Sequence, residues 1–281
     1  MKIKNALRQP RTAAVCKLAV AILVLAVVTA VGILFEGQAS QTDLARKNLA
    51  PCSEFWFGTD WMGRDMLART ITGLSISIRV GVITAVVSAL LALVVGISAA
   101  LLGRWADRLA TFIIDLFMGI PHILLLILIS CACGRGFWGV AVGIVFTHWM
   151  SLARVMRSET LQIRQSGYVQ VARKLGVGPM RLAVRHVVPG VMPQFFVGLV
   201  LLFPHAILHE ASVTFLGFGL TSEQPAIGVI LSESMQYLAT GRWWLALFPG
   251  ICLVIAVLLF ELIGRSVAEL FAVSAAKEEL A

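Results

Sequence analysis

The sequence predicts an all-α polytopic membrane protein with six transmembrane helices, and three observations carry that reading. Of 281 residues, 59% are hydrophobic and only 14% charged, with a mean hydropathy of +0.90, whereas a soluble domain carries about 25% charged residues. The apolar residues gather into runs of about 20, the length whose 1.5 Å rise per residue crosses roughly 30 Å of hydrocarbon. Lys and Arg are sorted by side: sixteen of the 23 fall at the two ends (counting Lys17, at the very start of the first span) and in alternate loops, six in the intervening loops, and Arg79 well within a span. Because Lys and Arg accumulate in loops that are not translocated, the richer side is the cytoplasm, and both termini belong there. The same bias accounts for the net charge of +8 without invoking nucleic acid.

The first span covers residues 14–35. Lys2, Lys4, Arg8 and Arg11 precede it as in a signal peptide, but the apolar run exceeds the roughly 7–15 residues of a cleaved segment, so an uncleaved helix is expected. Residues 36–73, which contain Pro51, form an outer loop or interfacial helix. The second span is 74–102, and 103–108 is a tight turn. The third, about 109–130, has Asp115 and Pro121 inside it, and a short link leads to the fourth, about 137–153. The fifth, 190–216, is interrupted by Pro193 and Pro204. A polar segment, 217–243, precedes the sixth, 244–264. The chain thus divides into an N-terminal cytoplasmic segment, first helix and outer loop (1–73), a core domain (74–264) and a cytoplasmic tail (265–281). Gly81, Gly96, Gly139 and Gly143 suit close helix packing. Cys16, Cys52, Cys131, Cys133 and Cys252 lack paired C-x-x-C spacing, so no zinc site or disulfide framework is expected.

Between the fourth and fifth spans lies a basic loop, 154–189, with seven Lys or Arg against Glu159 alone. Leu161, Arg164, Tyr168, Val171 and Leu175 recur at three- or four-residue intervals, which predicts an amphipathic helix over 160–175. Gly176 fits its C-terminal cap. Gly178-Pro179 makes a turn, and a second helix leads to Pro189. A rigid cytoplasmic helix–turn–helix of this kind suits docking into a groove of another protein.

These residues resemble the cytoplasmic signature of the membrane subunits of type I ATP-binding cassette importers. Gln170-Val171-Ala172, Gly176 and Pro189 stand at the spacings of its E-A-A, G and I-x-L-P. Gln170 and Val171 depart from the pattern, with His186 at the Ile position and Val188 at the Leu. The stretches F-G-T-D-W-M-G-R-D-M-L-A-R (57–69), H-W-M-S-L-A-R-V-M-R (148–157), T-F-L-G-F-G-L (214–220) and A-L-F-P-G (246–250) are similar to segments of the second permease of dipeptide, oligopeptide and nickel importers. Ile227 and Arg265 depart from that subfamily. The resemblance implies the type I importer permease fold in a bacterial or archaeal cytoplasmic membrane. It implies as partners a homologous second permease, two cytoplasmic ATPases, an extracytoplasmic solute-binding protein and membrane lipid. It places ATPase coupling on Tyr168, Gln170, Ala172, Arg173, Gly176 and Pro189. ATP and Mg2+ would be used by the partner ATPases; this chain has no G-x-x-x-x-G-K-[ST] loop, and no cofactor of its own is expected.

Cargo is addressed by P-H-A-I-L-H-E-A-S (204–212) in the fifth span. His205 and His209, four apart, share a helix face, and Glu210 adjoins them. Ionisable groups inside a membrane usually face the bundle interior or a water-filled path. Either the three satisfy one another and a neighbouring helix, or they line the path and meet a cationic or metal-bearing cargo. The string L-H-E-A-S resembles subfamily members linked to nickel or metallophores, so the expectation leans to nickel, with peptides as the alternative. No resident metal site is assigned. In the outer loop, Asp60, Arg64 and Asp65 either receive the binding protein or hold the loop together by mutual salt bridges. Asp115 and His122 read as structural, His148 and Arg154 as interfacial, and Glu261 as a capping or pairing residue. A self-sufficient secondary transporter or channel is the rival class, disfavoured by the basic knob and the lack of an inverted repeat. An intramembrane enzyme is disfavoured because neither G-x-S-x-G nor H-E-x-x-H occurs, Val213 standing where a second His would be.

Overall fold

A computed structural model describes residues 2–278, with side chains for 12–178 and 180–271. Among the described residues the chain is helical, with one isolated bridge, Thr59–Asp65, and no strand. The helices are α1 (Lys2–Leu34), α2 (Glu36–Ala39), α3 (Met66–Leu101), α4 (Arg104–Met118), α5 (His122–Ala132), α6 (Phe137–Gln165), α7 (Gly167–Lys174), α8 (Pro179–Leu182), α9 (Val188–Phe215), α10 (Ile227–Leu238) and α11 (Trp244–Glu278). Five of them, α1, α3, α6, α9 and α11, are long and apolar enough to cross a membrane. A sixth crossing exists only as the pair α4 and α5, bent by 94°.

Helices outrun the spans that hydropathy delimits. Asp65 caps α3 by accepting the Leu67 amide at 2.9 Å, which starts that helix at Met66 instead of 74. No Pro or Gly interrupts residues 154–165, so α6 continues through them although they are polar, and the loop expected from 154 begins only at Ser166. At the other end α11 runs past 264. The expected divisions at 73 and 264 therefore fall inside helices, and residues 279–281 of the expected tail lie outside the described residues. Nor do Pro193 and Pro204 interrupt α9; neighbouring helices and local adjustments can satisfy the carbonyls that proline frees in a membrane. One wide π turn, Ala183–Val187, leads into it.

The third span differs most. It breaks at Gly119-Ile120-Pro121, because Pro121 has no amide hydrogen and bars the α conformation to the residue before it. The Gly119 amide closes α4 on the Asp115 carbonyl at 3.0 Å, and α5 departs in a new direction.

In the bundle α3 is central, packed against α1, α6 and α9. Glycines set the approach distances. A Cβ on Gly96 would lie 2.7 Å from the Ala153 carbonyl oxygen and the Met156 Cβ of α6, and one on Gly81 would lie 2.6 Å from Ile207 of α9. The chain between α2 and α3 folds over one end of the bundle, opposite the end that carries α7. It is held by four charges. Arg69, only 1% exposed, donates Nη1 to Asp60 Oδ2 at 2.6 Å and Nη2 to Glu233 Oε2 at 3.0 Å. Arg64 Nε donates to the same Asp60 oxygen at 2.6 Å, and its Nη2 reaches Glu233 at 3.4 Å. Two cations and two anions cancel, so the loop, α3 and α10 are clamped without a net buried charge.

Arg69→Met is expected to lower stability by about 3–5 kcal/mol, because it leaves Asp60 buried with one cation fewer. Arg64→Met should cost less, since the better buried Arg69 still covers Asp60. Thermal unfolding of the detergent-purified protein checks this. Equal, small shifts for the two variants would remove the clamp from the account.

Candidate transport site

Two features, one where α6 and α9 are joined and one farther along both helices, make up the candidate site. The first is the knob formed by α7, α8 and the chain between them. Ser166 leaves the helical region (φ −65°, ψ 147°), so the single helix expected over 160–175 is instead the end of α6 followed by α7. Gly176 caps α7 in the left-handed region at φ +84°. Its amide donates to the Arg173 carbonyl and that of Val177 to the Ala172 carbonyl, both at 3.1 Å, the two bonds of a Schellman cap. Val169 anchors the knob inward. Tyr168, Gln170, Arg173, Gly176 and Pro189 are exposed, and Ala172 is half-buried. Gln170 Nε2 holds the corner by donating to the Gln165 carbonyl at 2.9 Å, and Arg164 reaches the Ala100 carbonyl of α3. Tyr168, Val171 and Leu175 together leave an apolar stripe open to solvent, beside a basic hollow of about 680 Å³ lined by Arg164, Gln170, Arg173 and Lys174.

The second feature is a cluster of three imidazoles from three helices. His122 opens α5 just after the break, His148 comes from α6 and His209 from α9. Their ring centroids lie 4.4 Å (His122–His209), 4.8 Å (His122–His148) and 5.0 Å (His148–His209) apart. His148 Nδ1 is 3.0 Å from the Ile144 carbonyl, and His209 Nδ1 is 2.7 Å from the His205 carbonyl. A carbonyl only accepts, so these Nδ1 atoms carry the hydrogen, and each neutral ring offers Nε2 as an acceptor. His122 Nδ1 and His148 Nε2 are buried without a hydrogen-bond partner, an arrangement that costs free energy while it lasts. Beside the cluster a cavity of about 330 Å³ opens under the helix break, lined by Gly119, Pro121, His122, Thr147 and Ser151.

The set expected from the sequence, His205 with His209 and Glu210, comes apart. Glu210 is fully buried, and its carboxylate accepts from Ser77 Oγ of α3 at 2.6 Å and Thr214 Oγ1 at 2.9 Å. Neighbouring residues on a helix of 3.6 per turn point about 100° apart, which sends His209 and Glu210 to different sides of α9. His205 stays exposed on the His209 side. No group of three His, Cys, Asp or Glu among the described residues is arranged to hold a metal ion. His148, expected at the interface, is 7% exposed within the bundle. Arg154, also expected at the interface, pairs with Asp115, while Arg157 Nη2 binds Asp107 Oδ2 at 2.8 Å. Both pairs tie α4 to α6. Glu261 pairs with Arg265 at 2.5 Å one turn on. In the loop between α2 and α3, Asp60 and Arg64 belong to the buried clamp and Asp65 caps α3, so all three carboxylate or guanidinium groups already have partners within the chain.

Residues 92–273 match the family described as binding-protein-dependent transport system inner membrane component. The chain is 36% identical over 243 residues to a protein of Brucella suis biovar 1 (strain 1330) whose provisional name is peptide transport system permease protein, covering 86% of this chain and 81% of that one. It is 31% identical over 221 residues to the dipeptide transport system permease protein DppC of Bacillus subtilis (strain 168), covering 79% and 69%. Among solved structures, the inward-facing MetNI methionine ABC transporter superposes with a TM-score of 0.61 over 74% of this chain and 97% of that one, at 19% identity. That likeness is one of fold. The family foreshadowed by the knob and the four segment motifs is the one found, and the chain belongs to the inner membrane components of binding-protein-dependent transport systems, as a permease subunit of an ABC importer.

Proposed function

We propose that this chain is one of two homologous permeases in an ATP-driven importer of short peptides, with its termini and knob in the cytoplasm. The observation that carries the cargo assignment is the similarity, over about four fifths of the chain, to two relatives named for peptide or dipeptide transport. The leaning to nickel gives way to the peptide alternative. It rested on the resemblance of L-H-E-A-S to nickel-linked members, with His205, His209 and Glu210 lining the path, whereas the relatives are named for peptides and Glu210 is turned to Ser77 and Thr214.

An extracytoplasmic binding protein delivers the peptide, and two ATPases in the cytoplasm supply the energy, holding ATP and Mg2+. The permease contributes no hydrolytic step. Tyr168, Gln170, Ala172, Arg173, Gly176 and Pro189 present the knob to an ATPase, the exposed stripe supplying apolar area and Arg173 the charge. ATP-driven closure of the ATPases draws the knobs of the two permeases together. The long helices then tilt as rigid bodies from inward-facing to outward-facing, and return after hydrolysis. His122, His148 and His209 line the path, where imidazole nitrogens without protein partners meet the amide and terminal groups of the passing peptide. His205 lies nearer the surface of the same face.

Deleting the chain in its native host is expected to reduce uptake of radiolabelled dipeptide by at least about tenfold, a difference equivalent to about 1.4 kcal/mol, and to leave nickel-63 uptake unchanged. Loss of nickel entry alone would overturn the peptide assignment. Gly176→Asp tests coupling. An added Cβ there meets open space within the chain, but it strains a residue at φ +84° and sets a negative charge at a helix C-terminus, where the dipole disfavours it. Membrane insertion should be unaffected, while peptide uptake falls and ATP hydrolysis by the assembled complex no longer tracks it. Normal uptake by this variant would refute the docking role.

A further inference from the structure

Away from the path, a furrow of about 930 Å³ runs down the flank of the bundle where α1, α3, α9 and α11 meet. Its walls are apolar except for Thr29 and Arg79. Leu18 and Ile33 of α1 both line it, fifteen residues or about 22 Å apart along the helix axis. One leaflet of a bilayer offers about 15 Å of hydrocarbon, so the furrow is long enough to hold an acyl chain.

Arg79 is the unusual member. Its Nε donates to the Ser75 carbonyl at 3.2 Å, and among the described residues no carboxylate lies within 4.0 Å of it. Intramembrane arginines are rare and almost always pair with an acid or with carbonyls; here one carbonyl serves a group with five N–H donors. Depth is given by its neighbours in the furrow. Ile33 is next to the last residue of α1, and Phe137 is the first of α6. The Ser75 contact draws the guanidinium one turn toward that end, to the level of Thr29, whose carbonyl accepts from Ser75 Oγ at 3.0 Å, about 7 Å short of the end of α1. A planar cation at that level, above an apolar channel, matches a phosphate whose ester carries a hydrocarbon tail.

We propose that this furrow binds one anionic phospholipid, its phosphate held by Arg79 and one acyl chain lying between α1 and α9. The lipid supplies the counter-charge that the chain itself does not, and it fills the seam that joins the first helix to the core.

Native mass spectrometry of the complete transporter in mild detergent, supplied with equal amounts of phosphatidylglycerol and phosphatidylcholine, tests this. Wild type is expected to retain phosphatidylglycerol over phosphatidylcholine by at least about tenfold, or about 1.4 kcal/mol of preference. Arg79→Gln should abolish the preference, and Arg79→Lys should keep most of it. If Arg79→Gln does not assemble, Val82→Trp serves, filling the furrow while sparing the cation; it too should lose the lipid. Equal occupancy of the two lipids in wild type, or undiminished preference in Arg79→Gln and Val82→Trp, overturns the proposal. So does a cross-link from a cysteine placed at Ile22 to the partner permease, because a protein helix would then cover the furrow.

Discussion

Everything in this bundle answers to one constraint: hydrocarbon offers nothing to a polar atom, so each buried donor, acceptor and charge must find its partner inside the protein. Glu210 shows how that shapes the fold. A carboxyl with no exposed surface is tolerable because Ser77 and Thr214 both donate to it, and the Ser77 bond crosses from α9 to α3. Thr214 in turn receives the Leu220 amide at 3.2 Å, fastening the turn that follows α9. The clamp of Asp60, Arg64, Arg69 and Glu233 solves the same problem for four charges at the loop end. These groups join elements far apart in sequence, and their cost is met by mutual hydrogen bonding instead of water.

The rule is not met everywhere: Asn48 Oδ1, Arg69 Nε, Trp244 Nε1 and Ser266 Oγ are buried without a partner, and so are two nitrogens of the histidine cluster. His148 and His209 each anchor Nδ1 on their own helix, which fixes the rings. Buried nitrogens on His122 and His148 nonetheless go unpartnered, in the one region where a membrane-crossing segment is broken. Functional sites are one place where local satisfaction is given up, in keeping with the proposed path. The break at Gly119–Pro121 and the cavity beneath it belong to the same exception.

Much of the fold was legible because apolar runs of about 20 residues have few readings. Their ends were less so. Hydropathy falls at Ser151, Arg154 and Arg157, and a hydropathy reading ends the helix there. The backbone continues to Gln165, because helices stop at breakers and caps and not where lipid ends. Gly119-x-Pro121 was a visible breaker, yet inside an apolar run it read as a kink in one span. The knob was legible down to the positive φ of Gly176, a local property. Its inner boundary was not, since a serine–glycine step is a weak signal. His205 and His209 could be paired by their four-residue spacing. His122, His148 and His209 could not be grouped, because separations of 26 and 61 residues are closed only by the packing of α5, α6 and α9. Glu210 was misassigned for a related reason: adjacency in sequence places side chains on different sides of a helix, and the hydroxyl of Ser77 lies 133 residues away.

The arrangement of those helices also says how the two features of the site can communicate. From His148 to Gln165 α6 is uninterrupted, about 26 Å at 1.5 Å per residue, and α7 follows directly. From Pro189 to His209 α9 is likewise continuous, about 30 Å. The knob is thus the joint between two rods whose far portions bear two of the three imidazoles. The third, His122, sits on α5, beyond the break, and α4 is tied to α6 through the Asp107–Arg157 and Asp115–Arg154 pairs and through Ile114, which packs with Met150 and Ala153. Under the proposed coupling, a tilt imposed at the knob would carry His148 and His209 together, and His122 would follow through the close packing of α5 on α6. The cluster would then join residues of the two rods to one carried by a third helix. Contacts of 4.4–5.0 Å between rings are short enough that a relative shift of a few ångströms would separate them, and that is the scale on which packed helices slide in switching transitions.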